Sequence, residues 1–258
     1  MLGAIPQGLT MNLKERVTQV PQVLVGLVSL SLALVISSAI AADAVRGLQR
    51  GNQVIRVTGS ARRAITSDYI IWSFRVESQD ASLQRAYRQV TGYTERIRRF
   101  LQQQAVPANE IVFAALENIP LQENINGRET GRILAYRLVQ RVKVSSAEVD
   151  KIAALVNQAN NLINEGVPLI SDPPQYIYRD LAKLRVEMVA EAVRDAQARA
   201  QSIAQATGSR VGRVRNVDTG VFQITSRYST DVSDYGIYDT SSKEKDITAV
   251  VSVSFSLD

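Results

Sequence analysis

The 258-residue chain contains neither cysteine nor histidine. Without cysteine there is no disulfide, no thiol nucleophile and no thiolate metal site, and the redox state of the compartment is left open. Without histidine the Ser-His-Asp and Cys-His catalytic arrangements are excluded. So are nearly all zinc and copper sites, and the one side chain that titrates unperturbed near neutral pH. Any catalysis would have to run on carboxylates, Lys, Tyr or Ser/Thr. The chain therefore reads as a non-enzyme with no metal and no cofactor. Aromatic residues are scarce at 6%, and 30 basic residues against 25 acidic ones leave a net charge of only +5. That balance requires neither nucleic acid nor an anionic surface as partner, and no base-reading module is recognisable, so nucleic acid is not expected.

What is present is one long uncharged run. From Pro21 to Ala42 no residue is charged, with Lys14 and Arg16 before the run and Asp43 after it. At 1.5 Å per residue such a helix reaches about 30 Å, enough to cross a bilayer. Two readings stay open. One is a retained signal anchor. The other is a cleaved signal peptide, since Ala39-Ile40-Ala41 has the small-x-small form that signal peptidase reads and Met11 is a plausible start. Lys14 and Arg16 on one side face Arg46, Arg50 and Arg56 on the other, so the charge rule for orientation is nearly tied. The chain divides into a leader (1–20), the transmembrane or signal segment (21–42), a linker (43–53) and a domain (54–258).

Within the domain, Val54–Ala61 reads as a strand. In Tyr69–Val76, Ile70, Trp72, Phe74 and Val76 alternate with more polar neighbours, as in a half-buried strand. Trp72 on that apolar face reads as core. A helix is predicted from Ser82 to Gln104, with a stripe through Leu83, Ala86/Tyr87, Val90, Tyr93, Ile97 and Phe100/Leu101. Ile111–Leu116 is a short strand and Asn118–Arg132 a loop with Gly127 and Gly131. Ile133–Val144 is a strand with Leu134, Tyr136, Leu138, Val142 and Val144 on one face and Arg137, Arg141 and Lys143 on the other. Ser145 and Glu148 fit a capping box opening a second helix to Glu165. After a break at Pro168–Pro174, an alanine-rich third helix runs from Tyr178 to Thr207. Val211–Val217 is a strand, Val221–Asp246 a polar loop, and Ile247–Leu257 a strictly alternating final strand. The order predicts an α+β fold: two-lobed, mainly antiparallel sheet with three helices, preceded by one N-terminal transmembrane helix.

These signatures resemble the SIMPL domain, an envelope family of unknown function. The resemblance rests on the Val57-Thr58-Gly59 turn, on Leu169-Ile170-Ser171-Asp172 ahead of the third helix, and on that helix itself. Gly212-Arg213-Val214 and Val251-Ser252-Val253-Ser254-Phe255 continue it. It implies a two-lobed α+β fold in the periplasm or at the cell surface of a bacterium. It also implies self-assembly into ring-like or channel-like homo-oligomers and, for some members, a link to oxidative-stress tolerance. No catalytic residues are assigned to the family. The segment Pro173–Tyr178 and the tyrosine-rich loop depart from it.

Three groups of residues are candidate sites. Arg85, Arg88, Arg96, Arg98 and Arg99 on the first helix are candidates for contact with anionic lipid or a partner subunit. Tyr228, Tyr235 and Tyr238 mark a candidate assembly loop. Glu187, Glu191 and Asp195 lie four apart on the third helix, and Asp231, Asp234 and Asp239 sit near Gly236. Either acidic group would suit a hard cation. Ion-paired solvated surface is the better reading of the first, and a hydrophilic loop of the second. The leading expectation is a membrane-anchored envelope protein that self-assembles with a scaffolding or protective role. The alternative is a module for lipid or another small ligand.

Overall fold

The structure, a computed structural model, describes residues 24–42 and 53–257. The 1–20 leader, most of the 43–53 linker and the flanking charges Lys14, Arg16, Arg46 and Arg50 lie outside the described residues. Helix α1 (Leu24–Ala42) is long and apolar enough to cross a bilayer, and none of it is buried by the other described residues. Its Ser29, Ser31 and Ser38 hydroxyls donate to the carbonyls three residues back, at 2.9, 2.8 and 2.8 Å. The helix thus offers its surroundings an apolar surface with those donors already satisfied.

The domain is α+β, with two sheets and four further helices. It opens with β1 (Val54–Thr66), β2 (Tyr69–Asp80), α2 (Leu83–Gln103), β3 (Ile111–Phe113), β4 (Glu117–Ile125) and β5 (Arg128–Ser146). There follow α3 (Val149–Gln158), α4 (Asn161–Asn164), β6 (Leu169–Ser171), β7 (Gln175–Ile177) and α5 (Leu181–Ala206). The last elements are β8 (Val211–Thr219), β9 (Gln223–Ser226), β10 (Ile237–Tyr238) and β11 (Glu244–Leu257). One sheet has the order β1-β11-β9-β10, with β8 also on β11. The other has the order β3-β5-β2-β6, with β4 on β5 and β7 on β2.

By packing, the described residues form two compact units, 57–199 with 217–253, and 24–42 and 53–56 with 200–216 and 254–257. In the first, β2 and β5 pair antiparallel from Ile70↔Ser146 to Asp80↔Tyr136. The period of two sends Ile70, Trp72, Phe74 and Val76 to one face, where all are buried with Val142 and Val144. Helix α2 closes that face with Ala86, Val90, Ile97 and Leu101, and α3 with Ile152 and Leu155. Each large aliphatic side chain buried there contributes about 1.5–3 kcal/mol. Trp72 is core, as its position predicts, and its indole N–H donates to the Ser171 hydroxyl at 2.8 Å.

In the second unit, strand ends are tied by side chains. The Arg213 amide donates to Ser256 Oγ at 2.9 Å and Arg56 Nε to Ser254 Oγ at 3.4 Å. Both serines are buried on one face, and Val253 and Phe255 are buried on the other, so the end of β11 is covered on both faces.

Several expectations are corrected. Three helices become four because the predicted second helix breaks after Gln158. Its asparagine-rich stretch (Asn157, Asn160, Asn161) takes a three-residue turn, with the Asn160 amide on the Asn157 carbonyl at 3.4 Å. The capping box is absent. Strand β5 continues through Ser146, whose hydroxyl accepts from the Glu148 amide at 3.0 Å, and the side chain of the cap residue Glu148 pairs with Lys151 at 2.9 Å instead of capping the helix. The third helix starts at Leu181, because Gln175–Ile177 is still extended as β7 against β2.

The expected loop Asn118–Arg132 is a long hairpin arm. Strands β4 and β5 pair from Glu117↔Val139 to Ile125↔Arg128 across the two-residue turn Asn126-Gly127, both residues left-handed. Leu134, expected in the core, is exposed because β2 stops opposite Tyr136, leaving the arm beyond it uncovered among the described residues. The expected turn at Gly59 is mid-strand. A side chain there would meet the backbone of Ala192 and Ala196 on α5, so glycine is what lets strand and helix touch. The polar loop 221–246 holds β9, β10 and the start of β11, with β9 and β10 parallel.

Candidate functional site

The alternation that buries Trp72 and Phe74 sends Ser73 and Arg75 to the opposite face of the sheet. The same holds for Arg141 and Lys143 on β5. Register then sets Arg75 directly opposite Arg141 and Ser73 opposite Lys143, while β3 brings Val112 beside Lys143. These residues, with Ala114 and Asp172, line a groove of about 370 Å³. Like charges directly opposite on paired strands repel, so a cross-strand arginine pair works against folding. Carboxylates at the rim offset part of this. Arg75 Nε is 2.9 Å from Glu77 and its Nη1 3.8 Å from Asp172, while Arg141 Nη2 is 3.2 Å from Glu117. Lys143 has no carboxylate partner among the described residues. Sequence reading placed Arg141 and Lys143 on a wet strand face but missed their convergence with Arg75, which depends on register.

The five arginines of α2 do not form one cluster. At 100° per residue, Arg85, Arg88, Arg96 and Arg99 share one exposed face, and Gly92 lies among them with open space where a side chain would stand. Arg98 lies elsewhere, its guanidinium 4.3 Å from the centre of the Phe113 ring and 3.6 Å from Glu95. Arg85 holds Asp80 through bonds of 2.7–3.0 Å, and its hydrogen bond keeps that carboxyl below the usual range. Arg96 donates to the Glu165 carbonyl at 2.7 Å, and Arg99 to that of Glu95 at 3.5 Å. Arg96 and Arg99 also border a shallow groove of about 220 Å³ against Leu162 and Glu165.

The tyrosines separate similarly. Tyr228 and Tyr235 are 81% and 96% exposed, with Val232 between them at 81%. Tyr238 lies on β10 and is less exposed. Among the described residues no group of three or more acidic side chains is placed to hold a metal ion. Asp239 instead accepts from the hydroxyls of Ser241 and Ser242 and faces the ammonium of Lys245, a side chain with no exposed surface, at 3.4 Å. Burial pushes the Asp239 carboxyl up, but those hydroxyls, the Ser241 amide and Lys245 together hold it well below the usual range. Burial pushes Lys245 down, against the pull of Asp239.

The acidic stripe of α5 is only partly the solvated surface expected. Arg63 of β1 bridges Glu187, at 2.7 Å, and Glu191, while the Ser60 amide donates to Asp195 at 2.8 Å. Of the pairs expected within the helix, Arg199–Asp195 forms at 2.9 Å. The stripe clamps β1 beside the close approach at Gly59.

Residues 55–255 match the model of the SIMPL family, described as protein of unknown function (DUF541). No curated protein matches the chain.

Proposed function

The chain belongs to the SIMPL family, and from that premise we propose that it is a non-enzymatic, membrane-anchored protein of the bacterial envelope. Helix α1 is retained in the bilayer. The domain behind it lies in the periplasm and assembles into a ring-like or channel-like homo-oligomer with a scaffolding or stress-protective role. One observation carries the assembly: Tyr228, Val232 and Tyr235 are each more than four-fifths exposed within eight residues. Tyrosines of this kind are enriched in interfaces, because the ring supplies apolar area and the hydroxyl stays wet. The β4–β5 arm, with exposed Ile125, Ile133 and Leu134, offers a second surface of the same kind.

Light scattering on the full chain extracted in detergent tests the reading. Assembly is expected to weaken by about tenfold or more in Y228S/Y235S, the scale of a lost interface hot spot. A strict monomer across a wide concentration range would sink it. A second reading, a module for a lipid or another small ligand, is favoured by the three adjacent cations of the sheet groove.

A further inference from the structure

We propose that the sheet groove between β2, β3 and β5 is a binding site for a phosphate-type oxyanion, held by Arg75, Arg141 and Lys143. The inference rests on the second reading above and names its site and ligand chemistry. Directly paired residues on neighbouring strands stand about 5 Å apart, and residues two along a strand about 7 Å apart. Arg75, Arg141 and Lys143 therefore occupy three corners of one small patch. A tetrahedral oxyanion carries enough acceptor oxygens to bridge them, and a guanidinium fork matches it in two bonds. Ser73, opposite Lys143, places a hydroxyl on the same side.

An anion at the centre also removes the repulsion between the two arginines, which the rim carboxylates relieve from only one side each. Asp172 lies at the edge and opposes an anion, but it is 3.8 Å from Arg75 and more than half exposed. The groove's volume of about 370 Å³ lies within the range of small-ligand sites. That is too small for a nucleic-acid strand or a folded protein. Exposed Val112 on β3 gives the patch an apolar margin, which suits an oxyanion carried on an apolar body. Phosphate chemistry is shared by soluble phosphate monoesters and by lipid headgroups.

The experiment uses the full chain in detergent. Inorganic phosphate is titrated by calorimetry, and retention of phosphatidic acid against phosphatidylcholine is measured in mixed micelles. Parent, R141Q, K143Q, K143R and the α2 variant R96Q/R99Q are compared, with the single-tryptophan emission as a check on folding. Expected is binding of at least one probe, about tenfold weaker in R141Q and in K143Q, restored in K143R and unchanged in R96Q/R99Q. Binding of phosphate alone assigns a soluble ligand, and binding of phosphatidic acid alone assigns a headgroup. Probe binding that R141Q and K143Q leave untouched, or that R96Q/R99Q abolishes, overturns the groove but keeps the ligand-binding reading. Absence of binding by both probes overturns both.

Discussion

Replacing Gly59 by alanine tests the close approach of β1 to α5. A Cβ at this position would stand 2.1 Å from the Ala192 carbonyl oxygen, 2.5 Å from the Ala196 amide nitrogen and 2.7 Å from the Ala196 Cβ. Ordinary contact begins at 3.4 Å, so β1 and α5 would have to part by the difference, 1.3 Å. Two of the three obstacles are backbone and cannot swing away as a side-chain tip can. Parting them also loosens Ser60 from Asp195 and Arg63 from Glu187, which bond across the same contact. Overpacking costs about 1–3 kcal/mol in general, and a backbone obstacle places this case at the top, about 3 kcal/mol. For a domain of this size that lowers Tm by about 6–12 °C. Circular-dichroism melting of the full chain in detergent reads it. Adding A196G should recover only part of the loss, since the closest contact is to Ala192. A melting point for G59A within about 1 °C of the parent would refute the reasoning.

Gly92 predicts the opposite sign. It is mid-helix with nothing near its absent side chain, so G92A should stabilise by about 0.5–1 kcal/mol, seen as a higher urea midpoint. In D239N the buried Lys245 ammonium loses its carboxylate, and the expected cost is about 3–5 kcal/mol. Asp239 and Asp246 both lie below the usual carboxylate range when folded. Their contribution is therefore present above the unfolded carboxylate pKa, near 3.9, and is lost as pH falls below it toward the folded values. Urea midpoints should stay nearly level from pH 7 to about pH 4 and fall from there to about pH 2 in the parent, less steeply in D239N; parallel curves over the lower range would contradict the assignment. S171A leaves the Trp72 N–H buried without its acceptor, an expected loss of about 1–3 kcal/mol. The only tryptophan should then show changed emission, and an unchanged spectrum and midpoint would count against the bond.

The parts of the fold legible in the sequence are those where period and burial coincide. Strand β2 shows Ile70, Trp72, Phe74 and Val76 at every second position because one face of it meets α2 and the other does not. Helix α2 shows its stripe for the matching reason, and Gln104 and Pro107 mark its end. The arm reads as a loop because its strands bury little and the alternation of β4, Ile119, Leu121 and Ile125, is broken by Glu123 and by Pro120 within the run. The Asn126-Gly127 turn was the available signal. Gly59 reads as a turn because a glycine in a strand looks the same whether the chain bends there or a helix presses against it. The groove was illegible for a different reason. Arg75 and Arg141 are 66 positions apart, and only the register of β2 on β5 makes them neighbours. A slip of one residue would turn Arg141 and Lys143 into the core.

The continuity of β5 has a mechanical consequence. Its 19 residues form one strand from the arm, where pairing with β4 shifts register twice between Leu121 and Asn124, into the sheet, about 60 Å of extended chain. A pull on the hairpin tip along that axis loads the rungs from Tyr136↔Asp80 to Ser146↔Ile70 together, in shear. A pull across the axis peels them one at a time. The arm is therefore a directional strut, stiff lengthwise and compliant sideways. Whatever grips its tip can tug on the strand that carries Arg141 and Lys143 without first unzipping the sheet around them.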